Sequence, residues 1–139
     1  MKTSCSFCDL TSQADRLIRS NDLMASFLSN PRLAPGHVLV IPRRHFEPPQ
    51  ALNDAELIAI YQEITRLSTH LLTIFKGVDI WQKTRPQVAE NTIKRHHLHF
   101  HVIPSNPGDS VYERALEWDP DHFLVLSAGE RNQMLKLLK

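Results

Sequence analysis

The sequence predicts a single α+β domain over residues 1–139, with a mainly antiparallel sheet of five strands. Three observations support this prediction: short apolar strand candidates follow one another closely, one long amphipathic helix interrupts them, and a capping signal begins a second helix near the C-terminus. The predicted order is β-β-β-α-β-β-α, and the short connections among the strands favour antiparallel pairing. At 139 residues, the chain has the usual length of one domain.

The strands are predicted from short apolar runs bounded by turn residues. Two runs within residues 15–28 are separated by the turn-forming residues 20–22, which indicates a hairpin. Residues 37–41 form a nearly continuous, β-branched run that ends before a proline, as in a buried central strand. Residues 78–81 and 97–103 supply the remaining two strands.

Two capping boxes predict the helices. Asn53 is followed three residues later by Glu56, and apolar residues then recur at helical spacing until Gly77, which predicts one long helix. Ser127 and Glu130 repeat the capping pattern and predict a C-terminal helix. Two polar segments are predicted loops: residues 82–95 and residues 105–122.

The charge balance argues against a surface that binds polyanions generally. The chain has 16 Lys and Arg against 15 Asp and Glu, a net charge of +1, so we expect neither a specific nucleic-acid partner nor a membrane partner. No apolar run has the length of a signal peptide or a spanning helix, which predicts a cytoplasmic protein. In a reduced compartment, Cys5 and Cys8, three residues apart, suggest a metal or redox site.

The strand at residues 97–103 has two different faces. Successive side chains point to opposite sides, so three histidines about 6.5–7 Å apart share one face: His97, His99 and His101. The other face is apolar and is predicted to enter the core: Leu98, Phe100 and Val102. Such a row of imidazoles can supply a neutral nucleophile, a hydrogen-bond donor and a proton. Two alternatives remain open, a solvated polar face and a zinc site that uses histidines at i and i+2.

These residues carry a family resemblance. The alternating pattern at residues 97–103 resembles the signature of the histidine-triad (HIT) family of nucleotide hydrolases and transferases. Residues 35–45, Pro-Gly-His followed by the apolar run and Pro-Arg-Arg-His, look like the second hallmark of that family, the strand beside the active site. Cys5-Ser6-Phe7-Cys8 resembles the start of the zinc-binding bacterial members. The resemblance implies the HIT-like fold and a homodimer.

The resemblance also implies a mechanism. His99 would attack the α-phosphorus of a dinucleoside polyphosphate or nucleoside phosphoramidate and form a nucleotidyl-histidine, which water or another acceptor then resolves. His101 would contact the phosphate or the leaving-group oxygen. His37 would support the triad from the neighbouring strand, although a strand-end histidine satisfied by backbone groups is the alternative. No organic cofactor is implied.

In the zinc-containing relatives, the corresponding ligands are an N-terminal cysteine pair, the histidine after the Ile-Pro strand end and the first triad histidine. Here these are Cys5, Cys8, His45 and His97. Two thiolates and two imidazoles form a closed tetrahedral set, so the expected zinc is structural and leaves His99 free. Incidental thiols are the alternative for the cysteine pair.

The chain departs from the family pattern around the substrate. Residues 89–96 replace the Gly-Gln-Thr or Gly-Gln-Ser element of hydrolase relatives, and Ser105 replaces an arginine after the triad. Asn30 is a candidate ribose contact and Gln82 a candidate second substrate contact. Four basic residues are candidates to compensate for the missing arginine: Arg43, Arg44, Lys94 and Arg95.

Two further functions stay open, the first of them because of these departures. One is a zinc-stabilised nucleotide-binding module with little catalytic activity. The other is a hydrolytic metalloenzyme in which all three triad histidines bind the metal.

Overall fold

In the computed structural model, which describes residues 5–115 and 124–139, five strands form one antiparallel sheet. The strands are β1 (Leu17–Ser20), β2 (Met24–Leu28), β3 (Val38–Pro42), β4 (Gly77–Trp81) and β5 (Phe100–Ser105). Their order across the sheet is β1-β2-β3-β5-β4. The predicted α+β fold with a five-stranded antiparallel sheet is therefore confirmed, and the predicted hairpin is the β1–β2 pair.

The described residues also form three α-helices: α1 (Asp54–Leu71), α2 (Ser110–Ala115) and α3 (Ala128–Leu138). The capping box of α1 is complete, because the Asn53 side chain accepts from the Glu56 N–H and the Glu56 carboxylate accepts from the Asn53 N–H. The prediction that this helix continues to Gly77 is wrong. The N–H of Lys76 already donates to Ser105 and β4 starts pairing at Gly77, so the chain must leave the helix earlier.

The main core lies between α1 and one face of the sheet. It contains apolar residues of β2, β3, α1, β5 and the segment just before β5: Met24, Val38, Val40, Ile60, Ile64, Leu67, Leu98, Phe100 and Val102. Leu98, Phe100 and Val102 enter this core as predicted. A smaller cluster covers the opposite face, where Phe7 and Leu10 of the N-terminal segment pack on Phe27 and Leu39. The histidines lie on this second face.

The histidine segment differs from the prediction in where its strand begins. His101 pairs with Leu39, but the ladder with β3 ends at Phe100, so His97 and His99 precede β5. If the ladder continued in the same register, Leu98 would lie opposite Pro42, which has no N–H to donate. The N–H of Leu98 instead bonds to the carbonyl of Phe46 at 2.6 Å.

The predicted loop at residues 105–122 contains a short helix that the sequence did not indicate. The Asp109 carboxylate accepts hydrogen bonds from the N–H groups of Tyr112, at 2.7 Å, and Asn106, at 2.6 Å, and so caps α2. Residues 116–122 of that loop lie outside the described part. The C-terminal helix is confirmed as α3, where the Ser127 hydroxyl accepts from the Glu130 N–H at 3.2 Å. No helix in the described ranges is long and apolar enough to cross a membrane.

Candidate active site and metal centre

A cavity of about 920 Å³ opens on the histidine face of the sheet. Its walls come from the N-terminal segment, residues 29–33 and the loop before β5, and His37, His99 and His101 line it. Six of the described lining residues are basic, and none is acidic: Arg16, Arg32, Lys83, Arg85, Lys94 and Arg95. A chain of net charge +1 therefore concentrates positive charge at this one place, which suits an anionic ligand.

Two of the four predicted compensating cations lie in this cavity, and two do not. Lys94 and Arg95 line it, whereas Arg43 donates to the carbonyl of Asn21 at 3.3 Å. Arg44 forms a two-bond ion pair with the buried carboxylate of Glu56, at 2.5 and 2.7 Å. Arg44 is thereby engaged in holding the start of α1, and it is absent from the cavity lining.

One hydrogen bond sets the tautomer of His99. Its Nδ1 lies 2.7 Å from the backbone carbonyl oxygen of His97, and a carbonyl can only accept. Nδ1 therefore carries the proton in the neutral ring, and Nε2 keeps a free lone pair. Burial lowers the pKa of His99 and outweighs the hydrogen bond to the His97 carbonyl, which acts in the opposite direction, so the neutral form is favoured.

A second chain of hydrogen bonds sets the tautomers of His37 and His101. The N–H of Leu33 donates to Nδ1 of His37 at 3.0 Å, so the proton of His37 lies on Nε2. Nε2 of His37 lies 2.9 Å from Nδ1 of His101, which must then accept. The proton of His101 is therefore on Nε2. This ring acts as a neutral hydrogen-bond donor and has no second proton to give while both hydrogen bonds hold.

The electrostatic surroundings agree with this assignment. Burial lowers the pKa of His37 to about 4, and the proximity of His99 adds to that shift. Burial likewise lowers the pKa of His101 to about 3, again with repulsion from neighbouring histidines. Both rings are neutral near pH 7. The site thus combines an imidazole nitrogen that has a free lone pair, on His99, with a neutral hydrogen-bond donor, on His101, and with nearby cations.

The four residues predicted as metal ligands lie together. The ligand atoms of Cys5, Cys8, His45 and His97 are all within 4.8 Å of one another. Among the described residues this is the one such group, and it includes neither His99 nor His101. The geometry thus disagrees with a metal held by all three triad histidines. Burial raises the pKa of the Cys8 thiol to about 11, with Cys5 adding to the shift, so a bound cation would favour ionisation of this thiol.

The distances in this cluster fit a tetrahedral ion. Sulfur lies 3.5 Å from nitrogen for Cys5–His97, 3.6 Å for Cys8–His97 and 3.3 Å for Cys8–His45. A tetrahedral zinc with ordinary bond lengths separates sulfur from nitrogen by about 3.5 Å. In addition, Nε2 of His97 donates to the Pro42 carbonyl at 2.9 Å, which leaves Nδ1 free to bind a metal. The donor set is compatible with a structural metal site.

The N-terminal segment connects this cluster to His99. Phe7, between the two cysteines, packs edge-on against His97 at 5.9 Å and against His99 at 5.6 Å between ring centroids. It also meets Phe27 at 5.4 Å. The alternative of a solvated histidine face is therefore wrong, because Phe7 packs against His97 and His99, and His97 is fully buried.

Residues 11–108 match the family model of the HIT domain. The chain belongs to the HIT family. An uncharacterized HIT-like protein of Saccharolobus solfataricus is 26% identical over 105 residues, which are 73% of this chain and 73% of that relative. An uncharacterized HIT-like protein of Methanocaldococcus jannaschii is 29% identical over 109 residues, covering 76% of this chain and 81% of the relative.

Solved structures show the same fold. A histidine triad nucleotide-binding protein from Candida albicans superposes with a TM-score of 0.73 at 22% identity, covering 97% of this HIT chain and 94% of that one. A HIT family protein from Bacillus anthracis gives a TM-score of 0.65 at 19% identity, covering 99% and 92%. At these identities the comparison establishes the fold of the HIT chain, and the chemistry rests on its own residues.

Of the three predicted nucleotide contacts of the HIT protein, His101 lines the cavity, and the other two lie in different places. Asn30 lines the cavity, beside Ser29 and Arg32. Gln82 directs its amide nitrogen to the hydroxyl of Thr84 at 3.0 Å and is not among the lining residues. Sequence reasoning did not single out Arg16, Arg32, Lys83 or Arg85 as cavity residues. No local pattern marks them, because they come from separate segments that meet only after folding.

Proposed function

We propose that this HIT protein is a nucleotide hydrolase or nucleotidyl transferase in which Nε2 of His99 attacks the α-phosphorus of a nucleoside phosphate derivative. The substrate class is a dinucleoside polyphosphate or a nucleoside phosphoramidate. One observation carries the proposal: the 2.7 Å hydrogen bond from Nδ1 of His99 to the His97 carbonyl leaves Nε2 unprotonated in a cationic cavity.

The first step exchanges one bond at phosphorus for another. The lone pair of Nε2 forms a nitrogen–phosphorus bond, the bond from phosphorus to the leaving group breaks, and its electron pair departs with the leaving group. The proton on Nδ1 stays in place, so the modified ring carries a positive charge next to the His97 carbonyl oxygen. An amine leaving group takes its proton from water, because His101 has none to give.

The second step restores the nucleophile. A water molecule, or the hydroxyl of another acceptor, attacks the same phosphorus and loses its proton to solvent. The nitrogen–phosphorus bond then breaks, and its electron pair returns to Nε2. In both steps Nε2–H of His101 donates a hydrogen bond to a phosphate or leaving-group oxygen, and His37 holds that ring in its donor tautomer. Asn30 is the proposed ribose contact, and Gln82 stays a prediction.

We also propose that the four-residue cluster holds a structural Zn²⁺. Cys5, Cys8, His45 and His97 would complete its coordination and leave no open position for substrate. When bound, the ion would stabilise the fold by linking the N-terminal segment to the sheet, and it would not act as a Lewis acid on the substrate. The carbonyl of His97 would then be held in place for its hydrogen bond to His99.

The proposal is tested by trapping the intermediate. The protein is mixed at neutral pH with diadenosine polyphosphates and adenosine phosphoramidate, and intact mass is followed by peptide mapping. We expect a mononucleotide adduct on His99 and none in the His99→Ala variant. His70→Ala is the matched control, because His70 is an exposed histidine on α1. Full turnover by His99→Ala would contradict the assignment.

A zinc-stabilised nucleotide-binding module is the second candidate, and one observation favours it. In the segment before the triad, the Asn91 side-chain oxygen accepts from the N–H groups of Ile93, at 2.7 Å, and Lys94, at 2.8 Å. That oxygen is therefore engaged in hydrogen bonds within a turn and does not contact a leaving group. Nucleotide binding by calorimetry, with neither turnover nor adduct across the substrate panel, would support this candidate over catalysis.

The homodimer and the cytoplasmic location stay predictions. Light scattering after gel filtration measures the first directly, since a dimer has twice the 16.0 kDa mass of the chain. Fractionation of the source cells measures the second.

A further inference from the structure

One cation of the cavity is held differently from the others. The ammonium of Lys94 lies 2.7 Å from a carboxylate oxygen of Glu47, and the two side chains are only 16% and 17% exposed. By contrast, Arg16 meets Asp15 at 3.8 Å, and the Asp15 side chain is 84% exposed. Lys83 rests over the Trp81 ring at 4.8 Å. Among the cavity cations in the described part of the chain, Lys94 is therefore the one with a short and shielded ion pair.

The backbone that carries Lys94 is also fixed. The N–H of Asn91 donates to the Lys94 carbonyl at 3.1 Å, and the Asn91 side chain accepts from the Lys94 N–H. Arg95 adds a hydrogen bond to the Asn91 carbonyl at 3.0 Å. A tight turn therefore presents Lys94 to the cavity five residues before His99, with little freedom to move.

The ammonium retains binding capacity. A lysine ammonium has three N–H donors, and Glu47 receives one of them. Lys94 lines the same cavity as His99 and His101, where a phosphate would meet the nucleophile. Charge-assisted hydrogen bonds to phosphate oxygens are strong, and a lysine that is already ordered loses less entropy on binding.

We infer that Lys94, oriented by Glu47, binds the non-bridging oxygens of the phosphate that His99 attacks. Lys94 is thus a substrate-binding residue at the reacting phosphorus, and Glu47 is a positioning residue that acts through it. This inference rests on the proposed function, because it assumes that the phosphate of a nucleotide occupies the cavity next to His99.

The test measures recognition of the phosphate without requiring turnover. Calorimetry with AMP, GMP, CMP and UMP and with their nucleosides gives, for each base, the preference for the nucleotide over the nucleoside. In the wild-type protein we expect a clear preference for at least one nucleotide. In Lys94→Met we expect that preference to fall by about 10- to 100-fold, with nucleoside affinity unchanged.

Two other lysines are the controls. Lys76→Met changes an exposed lysine that does not line the cavity and should leave the preference unchanged. Lys83→Met removes a lining cation that pairs with no carboxylate among residues 5–115 and 124–139, and it should lower the preference by no more than about fivefold. An equal loss in Lys83→Met and Lys94→Met would overturn the inference, since the nucleotide preference would then depend on the total charge of the cavity and not on Lys94 itself.

The role of Glu47 is measured by a double-mutant cycle. Glu47→Gln should lower the nucleotide preference by about 2- to 10-fold, because Lys94 loses part of its ordering. In the Lys94→Met background the same substitution should not lower the preference, and it should raise it where the unpaired carboxylate repels the phosphate. Lys94→Met leaves Glu47 as an unpaired, largely buried carboxylate, which destabilises the fold. The double variant removes that charge, so we expect it to fold even if Lys94→Met alone does not. An equal effect of Glu47→Gln in both backgrounds would refute positioning through Lys94.

Different results would contradict the proposed function and the role of Lys94. A wild-type protein that binds nucleosides and nucleotides equally contradicts the proposed function itself. A wild-type protein that prefers a nucleotide, together with a Lys94→Met variant that keeps that preference, contradicts only the role of Lys94.

Discussion

His37 lies with its Nε2 2.9 Å from Nδ1 of His101, while its own Nδ1 accepts the N–H of Leu33 at 3.0 Å. A single backbone N–H therefore determines the proton positions of two imidazoles in succession. The same principle operates at His99, where the carbonyl of His97 holds the proton on Nδ1. His99 and His101, which both line the cavity, thus have opposite tautomers: Nε2 has a free lone pair in His99 and carries the proton in His101.

The first prediction concerns these tautomers. In ¹⁵N-detected correlation spectra at pH 7, we expect His99 to show the Nδ1–H form and His101 the Nε2–H form. His70, exposed on α1, should show an exchange-averaged mixture and serves as the control. In His37→Phe, the donor to His101 is lost, so His101 should become a mixture while His99 keeps its tautomer. Identical tautomers for His99 and His101 in the wild-type protein would contradict the assigned roles.

The second prediction concerns acid stability. Burial lowers the pKa of His37 to about 4, whereas an unfolded histidine titrates near 6.5, so the unfolded state binds more protons between these values. The free energy of unfolding should therefore fall as the pH is lowered through this window. For His37 alone, the loss by pH 5 is about 2 kcal/mol.

Urea denaturation at pH 7.5 and pH 5 measures this loss. His37→Asn keeps an acceptor for the Leu33 N–H but does not titrate, so its loss of stability over the same interval should be smaller by that amount. Acid release of a metal affects both proteins alike and cancels in the difference. Equal pH dependence in the two proteins would indicate that His37 titrates normally in the fold.

The third prediction concerns the metal. Protein purified without chelator should contain close to one zinc per chain by elemental analysis, and Cys5→Ser or His45→Ala should lose most of it. His101→Ala should retain the zinc, because its ring does not belong to the cluster. The loss of a ligand should lower Tm by about 10 °C, as expected for roughly 3 kcal/mol in a domain of this size. Zinc that depends on His101 would indicate a catalytic metal instead.

The fourth prediction concerns the aromatic contact between the two sites. Phe7→Ala removes a half-buried ring that packs on His97, His99 and Phe27, and should cost about 2 kcal/mol of unfolding free energy. The rate of adduct formation on His99 should also fall, since the ring that covers the imidazole is gone. Phe7→Leu retains most of the volume and should cost less on both measures. A loss of stability with an unchanged adduct rate would show that Phe7 contributes to packing but not to the reactivity of His99.

Much of the fold was predictable because its signals are local. The capping box at Asn53 and Glu56 requires only residues three apart, and the structure contains both of its hydrogen bonds. The alternation from Leu98 to Val102 assigned three side chains to the core correctly, although β5 starts only at Phe100. That start could not be predicted, because it depends on Pro42, which is distant in sequence and cannot donate to a partner strand.

The histidines and cysteines of the candidate site were predictable from the sequence. The charged residues that line its cavity were not. The family resemblance named Cys5 and His97, which are 92 residues apart, and folding brings Cys5 sulfur within 3.5 Å of His97 Nδ1. Arg44 was expected near the substrate and instead pairs with Glu56 on α1. Whether a basic residue faces a cavity or a carboxylate depends on neighbours that only the folded chain supplies.

The sequence by itself determined the strand and helix pattern, the alternating histidines and the membership signals of the HIT family, because periodicity and capping act over a few residues. Only the tertiary structure decided which nitrogen of each histidine holds a proton, which six cations line the cavity and which carboxylate orients Lys94. These properties arise from hydrogen bonds and charges between distant segments. Their partners are chosen by the packing of the sheet, the N-terminal segment and the loop before β5.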